Sequence, residues 1–165
     1  MQIMHVNTRS PAPVYREKLS PSLWTLVAAA LGAPMIALAL SPVDLTLALV
    51  GGVAVSAAII ALLIWLSPSV SVADGELRAG RAHIDVALLG DAEALAGEEA
   101  RTARGREFDP RSWTLVRGGI DGAVRIAVLD ANDPAPFWII SSRTPDRLAA
   151  ALRRAQSYAA HSMQM

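Results

Sequence analysis

Few residues of this chain have the types and spacing to do chemistry, and His83 and Asp85 are the first candidates. Spaced i, i+2 in the stretch Ala82 to Val86, they share one face of a strand, where a carboxylate can orient an imidazole or help hold a metal. A zinc-type site needs three or four ligands. The remaining histidines, His5 and His161, lie near the two ends of the chain, so a solvated polar strand face is the plainer reading. The second candidate is basic. Arg101, Arg104, Arg106 and Arg111 would suit an anionic headgroup or a phosphorylated ligand. Glu98, Glu99, Glu107 and Asp109 are interleaved with them, so ion pairing within the stretch competes with any ligand.

The remaining chemistry is thin. Asp109-Pro110-Arg111 and Asp133-Pro134 read as turns, because Asp bonds its own downstream amides and Pro fixes φ. Trp113 and Trp138 fall on strand candidates and read as core. The chain has no cysteine, hence no disulfide framework, thiol nucleophile or cysteine metal site. No P-loop, GxGxxG, GxSxG, HExxH or paired-cysteine motif occurs, and no serine has an identifiable base. Fifteen basic residues balance fifteen acidic ones, which argues against nucleic acid as a partner, since phosphate backbones demand a basic excess. The expectation is no catalytic residue, no metal and no cofactor.

The elements that position these residues begin with two uncharged apolar runs, 23–40 and 45–66, separated by Ser41-Pro42-Val43-Asp44. At about 1.5 Å per residue they reach roughly 27 and 33 Å, against a hydrocarbon core of about 30 Å. The expectation is a transmembrane helical hairpin in contact with the lipid bilayer. Arg9, Arg16 and Lys18 precede it, Arg78 and Arg81 follow it, and the loop between the runs has neither Lys nor Arg. By the positive-inside rule this is a two-span cell-membrane protein with both termini cytoplasmic. Trp24 and Trp65 would then sit at the same membrane interface. Ala48, Gly52 and Ser56 form a small-residue face, as do Ala28, Gly32 and Ile36, suited to packing the two helices together.

Residues 1–22, broken by Pro11, Pro13 and Pro21, read as an N-terminal cytoplasmic tail that becomes ordered near Tyr15 to Leu19. From 67 to 158 the period changes to two. Strands are expected at 69–73, 76–79, 82–86, 88–95, 111–117, 123–130 and 137–142, with turns at Asp74-Gly75, Gly80-Arg81 and Gly118 to Gly122. Residues 97–105 read as a brief helix or turn. Thr144 as N-cap and Pro145 at the first position open a final amphipathic helix with Leu148, Ala151, Leu152 and Ala155 as its stripe. Residues 159–165 are expected to fray. Short antiparallel strands closed by a C-terminal helix are the layout of a pleckstrin-homology-like (PH-like) barrel. The fold class expected is therefore a membrane α-helical hairpin followed by a small α+β, mainly antiparallel β, PH-like cytoplasmic domain.

The chain also resembles the actinobacterial membrane proteins grouped as domain of unknown function 3093. The resemblance lies in Tyr15-Arg16-Glu17, Leu77-Arg78-Ala79-Gly80-Arg81 and Arg104-Gly105-Arg106. It continues through Asp109-Pro110-Arg111 and Asp130-Ala131-Asn132-Asp133-Pro134 to the run from Phe137 to Pro145. None of these motifs is catalytic, and the resemblance implies the architecture alone. Taken together, the sequence points to a non-catalytic interaction module with an unidentified membrane or cytoplasmic protein as partner. A sensor of lipid headgroups or small ligands using Arg104, Arg106 and Arg111 is the alternative, and an uncharacterised enzyme the second.

Overall fold

The computed structural model describes residues 14–42, 44–106 and 108–162. Two apolar helices come first, α1 (Leu23–Leu40) and α2 (Leu45–Trp65). Each starts on a side-chain cap. Ser22 Oγ accepts from the Thr25 amide at 3.2 Å, and Asp44 Oδ1 accepts from the Leu47 amide at 2.9 Å. The helices pack on the small-residue face of α2, where Ala48, Gly52 and Ser56 are buried. A Cβ on Gly52 would stand 2.5 Å from the Ala33 carbonyl oxygen, so only glycine allows this backbone approach. Most of the remaining surface of both helices is apolar and exposed, including Leu38, Val50, Val53 and Leu62.

Among the described residues, α2 alone is long and apolar enough to cross a membrane, with 21 residues and mean hydropathy 2.7. Of the two spans expected, length and hydropathy support one. The apolar stretch of α1, Leu23–Ala39, falls in a shorter class, and its length of about 25 Å is less than a typical hydrocarbon core.

The rest of the chain folds as two four-stranded sheets. One comprises β1 (Tyr15–Lys18), β2 (Ser69–Ala73), β3 (Glu76–Ala79) and β4 (Ala82–Asp85), paired antiparallel in that order. The other contains β5 (Leu89–Leu95), β6 (Trp113–Leu115), β7 (Ala123–Val128) and β8 (Phe137–Ser141), ordered β5-β7-β8-β6. One expectation is corrected here. No closed barrel forms, because a 3₁₀ turn at Val86–Leu88 interrupts the chain between β4 and β5 and no ladder joins the two sheets. The strands are mainly antiparallel, as expected, with one parallel pair. β8 lies between β7 and β6, antiparallel to the first and parallel to the second. Residues Tyr15–Lys18, read from sequence with the tail, are instead an edge strand.

Period-two alternation delivers one face of each sheet to a shared core. Val70 and Val72 from β2, Leu77 from β3, Val124 and Ile126 from β7 and Ile140 from β8 are all fully buried. The closing helix α4 (Pro145–Ser162) adds Leu148 and Leu152 to this core and packs against β5, the 3₁₀ turn, β2, β7 and β1. It also protects an edge. Gln156 Nε2 donates to the carbonyls of Leu89 and Gly90 at 2.8 and 3.0 Å, beside a bulge in β5, which blocks strand addition there. A short helix, α3 (Gly97–Arg104), seats Ala100 and Ala103 on Leu95, Ala123 and Ile139 in a second, smaller core.

A fully buried Leu replaced by Ala typically costs about 2–5 kcal/mol. Leu152→Ala is therefore expected to lower the chemical-denaturation midpoint of the chain strongly, and Arg154→Ala, whose side chain is exposed, to leave it nearly unchanged. Equal effects of the two would contradict the packing of α4.

Candidate functional site

The residues singled out by sequence are scattered over the surface. His83 and Asp85 are exposed on β4 and share a face, but Asp85 Oδ1 is engaged by the Ala87 amide at 2.8 Å, where it caps the 3₁₀ turn. Cross-strand neighbours of this pair are Arg78 and Glu76, which bond each other at 2.8 Å. Among the described residues, no group of three or more His, Cys, Asp or Glu side chains is placed to hold a metal.

The arginines of the 101–111 stretch do different jobs. Arg104 donates from Nη1 to the Ile120 carbonyl at 3.0 Å and from Nη2 to the Asp121 carbonyl at 2.7 Å, bracing the loop before β7. Arg111 holds Asp109 through Nη2 to Oδ2 at 3.0 Å, while its own amide bonds Oδ1 at 2.9 Å. Those hydrogen bonds keep the Asp109 carboxyl below the ordinary carboxylate range and push the Arg111 guanidinium higher still. Arg106 is exposed. Trp24 and Trp65 lie at the first turn of α1 and the last residue of α2, 81% and 78% exposed.

A different constellation, drawn from both ends of the chain, is the best organised polar site. Pairing of β1 with β2 sets Tyr15 and Glu17 on one face, and β8 delivers Ser142 to the same place. Glu17 Oε2 accepts from the Tyr15 hydroxyl at 2.6 Å and from the Ser142 hydroxyl at 2.7 Å. Its other oxygen accepts the Arg143 amide at 2.9 Å. Ser142 is fully buried, and its oxygen also accepts the Thr144 amide at 3.0 Å. Thr144, expected as a helix cap, has its hydroxyl 3.0 Å from that of Tyr15. Arg143 then reaches towards the helices, donating to the carbonyls of Lys18 at 3.2 Å and Ser20 at 2.8 Å.

Nearby, Gly119 has φ 77° and packs so closely on Ser22, the cap of α1, that a Cβ there would overlap it. The β-domain is thus fastened to the base of the helix pair at Ser20 and Ser22. Chemically this is a lock. The Ser142 hydroxyl is saturated and out of reach of a substrate, and the Glu17 carboxylate is spent on three donors. Sequence reasoning missed it because its members are about 125 positions apart. The one signal was that Tyr15-Arg16-Glu17 and Ser142-Arg143-Thr144 both stand among the motifs of the family resemblance.

Two grooves adjoin these elements. One, of ≈ 590 Å³, lies between β1 and α4 and is lined by Arg16, Arg143, Arg147 and Arg154 beside Tyr15, Glu17 and Thr144. The other, of ≈ 500 Å³, lies on the second sheet. There the Arg125 guanidinium stands 4.2 Å over the Phe137 ring, among Asp91, Glu93 and Arg153.

A family model described as protein of unknown function (DUF3093) matches residues 14–152. The chain belongs to that family, and the matched span runs from the edge of β1 to Leu152 in α4. No curated protein and no solved structure matches the chain.

Burial raises the Tyr15 hydroxyl above its ordinary value of 10.0, and the hydrogen bond to Glu17 adds to that. A group whose folded value is raised contributes stability below its unfolded value and loses it as pH climbs through the folded one. Wild type should therefore lose stability above about pH 10 more steeply than Tyr15→Phe. At neutral pH the variant should be less stable by about 0.5–1.5 kcal/mol, the usual net worth of one hydrogen bond. Urea unfolding at pH 7 and pH 11 checks both, and parallel alkaline slopes would contradict the role of Tyr15.

Proposed function

We propose that the chain is a non-catalytic, membrane-anchored interaction module. In this reading α2 spans the bilayer with α1 crossing beside it, both termini are cytoplasmic, and the two-sheet β-domain is held at the cytoplasmic face. The observation that carries it is the surface of the helix pair. Only 17% of the most apolar stretch of α2 is buried, and large side chains such as Leu38, Val50, Val53 and Leu62 are exposed on both helices. Apolar surface of that extent is costly in water and favourable in lipid. The shorter α1 is accommodated by local thinning or by its flanking residues, at a modest cost.

Other features agree. Trp24 and Trp65, at the ends of the helices nearest the β-domain, suit one headgroup layer. Lys and Arg flank those same ends and are absent from 41–44. The domain then acts by binding. Its hydroxyl–carboxylate constellation at Glu17 is closed, and Arg104 and Arg111 are committed to intramolecular partners, which disfavours a sensor built on them. An unidentified membrane or cytoplasmic protein is the partner we assign.

Alkaline carbonate extraction of membranes from cells expressing the full chain tests this. The chain should stay in the pellet, and a fused C-terminal reporter active only outside the cytoplasm should be silent. Val53→Lys, placing a charge that costs about 2.5–3.5 kcal/mol at a helix centre, should reduce the pelleted fraction. Release of the wild type by carbonate would overturn the anchor, and an active reporter would overturn the orientation.

A further inference from the structure

We propose that the groove between β1 and α4 binds the phosphate group of an anionic phospholipid, an inference that rests on the membrane reading above. Elsewhere on the described surface, three arginines are paired with carboxylates: Arg78 with Glu76 at 2.8 Å, Arg101 with Glu98 at 3.6 Å and Arg111 with Asp109 at 3.0 Å. The ≈ 590 Å³ groove gathers four arginines in one lining. Arg16, Arg143, Arg147 and Arg154 line it, and none of the four has an ion pair among the described residues. The one carboxylate in its lining, Glu17, is already occupied by the Tyr15 and Ser142 hydroxyls and the Arg143 amide.

Two of these arginines are oriented without being neutralised. Arg143 donates to the carbonyls of Lys18 and Ser20, and Arg154 donates from Nε to the Ala150 carbonyl at 3.2 Å. Uncharged acceptors fix a guanidinium and leave its charge to the groove. Arg147 and Arg154, seven apart, share one face of α4. Planar guanidinium forks suit the oxygens of a phosphate, which they bind bidentately. The source follows from position. Arg143 holds the Ser20 carbonyl, and Ser20 lies three residues before the first residue of α1, Leu23. At about 3.3 Å per extended residue that end of the groove is within about 10 Å of the helix start, and lipid headgroups occupy the first several Å outside the hydrocarbon core.

The test titrates the detergent-solubilised full chain with dioctanoyl phosphatidylglycerol, dioctanoyl phosphatidylcholine and inorganic phosphate by calorimetry. Phosphatidylglycerol should bind about tenfold or more tightly than phosphatidylcholine. Arg147→Gln with Arg154→Gln should erase about that preference, as the loss of two surface cations implies. Both side chains are exposed, so the melting temperature should not move. Arg78→Gln with Arg101→Gln, removing paired charges elsewhere, should alter neither affinity. Equal binding of the two lipids, or a preference that survives the first double variant, would overturn the site. Inorganic phosphate binding as tightly as phosphatidylglycerol would overturn the lipid as its source. A chain that resists carbonate yet shows no preference would sink the groove and spare the anchor, whereas a chain released by carbonate would sink the anchor first.

Discussion

The chain leaves its β-domain at Leu19 and returns at Pro68, and the bond from the Leu19 amide to the Pro68 carbonyl at 2.9 Å closes that excursion. Everything between is the helix pair and its caps. The β1–β2 ladder on the domain side of this bond has only four residue pairs, from Lys18↔Ser69 to Tyr15↔Val72. A four-residue edge strand with one large apolar side chain is weak by itself. What holds β1 is the Glu17 carboxylate, which ties it to the start of α4, while Arg143 returns from that start to the carbonyls of Lys18 and Ser20. The ends of the family-matched span are joined by one acid and one base that do not pair with each other. Each serves backbone or hydroxyl groups of the opposite segment.

That arrangement couples the helix pair and the domain. Leu19 is fully buried in the core shared by the two sheets, three residues after Arg16 and four before Leu23. The domain therefore meets the helices through a short, bonded junction, reinforced where Gly119 packs on Ser22 and Arg104 braces the following carbonyls. A fully matched polar network of this kind gains rigidity from the low local dielectric, and the same property makes any unmatched member costly. It also sets the charge pattern. Because Glu17 is consumed internally, the arginines along β1 and α4 keep their charge.

Much of the architecture was legible in sequence for local reasons. Two charge-free runs, the Asp74-Gly75 turn between alternating residues, and the Leu148/Leu152 stripe after Thr144-Pro145 each specify an element within a few positions. β1 was not legible as a strand, because Tyr15-Arg16-Glu17-Lys18 has no apolar alternation and finds its partner only across the helix pair. The split into two sheets, and the insertion of β8 between β7 and β6, depend on long-range pairing that no local pattern encodes. The groove between β1 and α4 was not legible for a related reason. The 101–111 arginines are conspicuous because they are adjacent, yet Arg111 closes a turn and Arg104 braces a loop. The better cationic surface is assembled from Arg16 and three residues well over a hundred positions later, visible only once β1 lies beside α4.

Glu17 holds β1, and with it the junction to the helices, onto the domain. Hydrogen exchange of the full chain and of Glu17→Ala measures this most directly. Removing the carboxylate takes the acceptor from the buried Ser142 hydroxyl, at about 1–3 kcal/mol, and local opening should rise accordingly. The amide of Leu19, bonded to Pro68, should lose about tenfold or more of its protection, while the amides of β7 and β8 keep theirs. Unchanged protection at Leu19, or an equal loss throughout both sheets, would contradict the account.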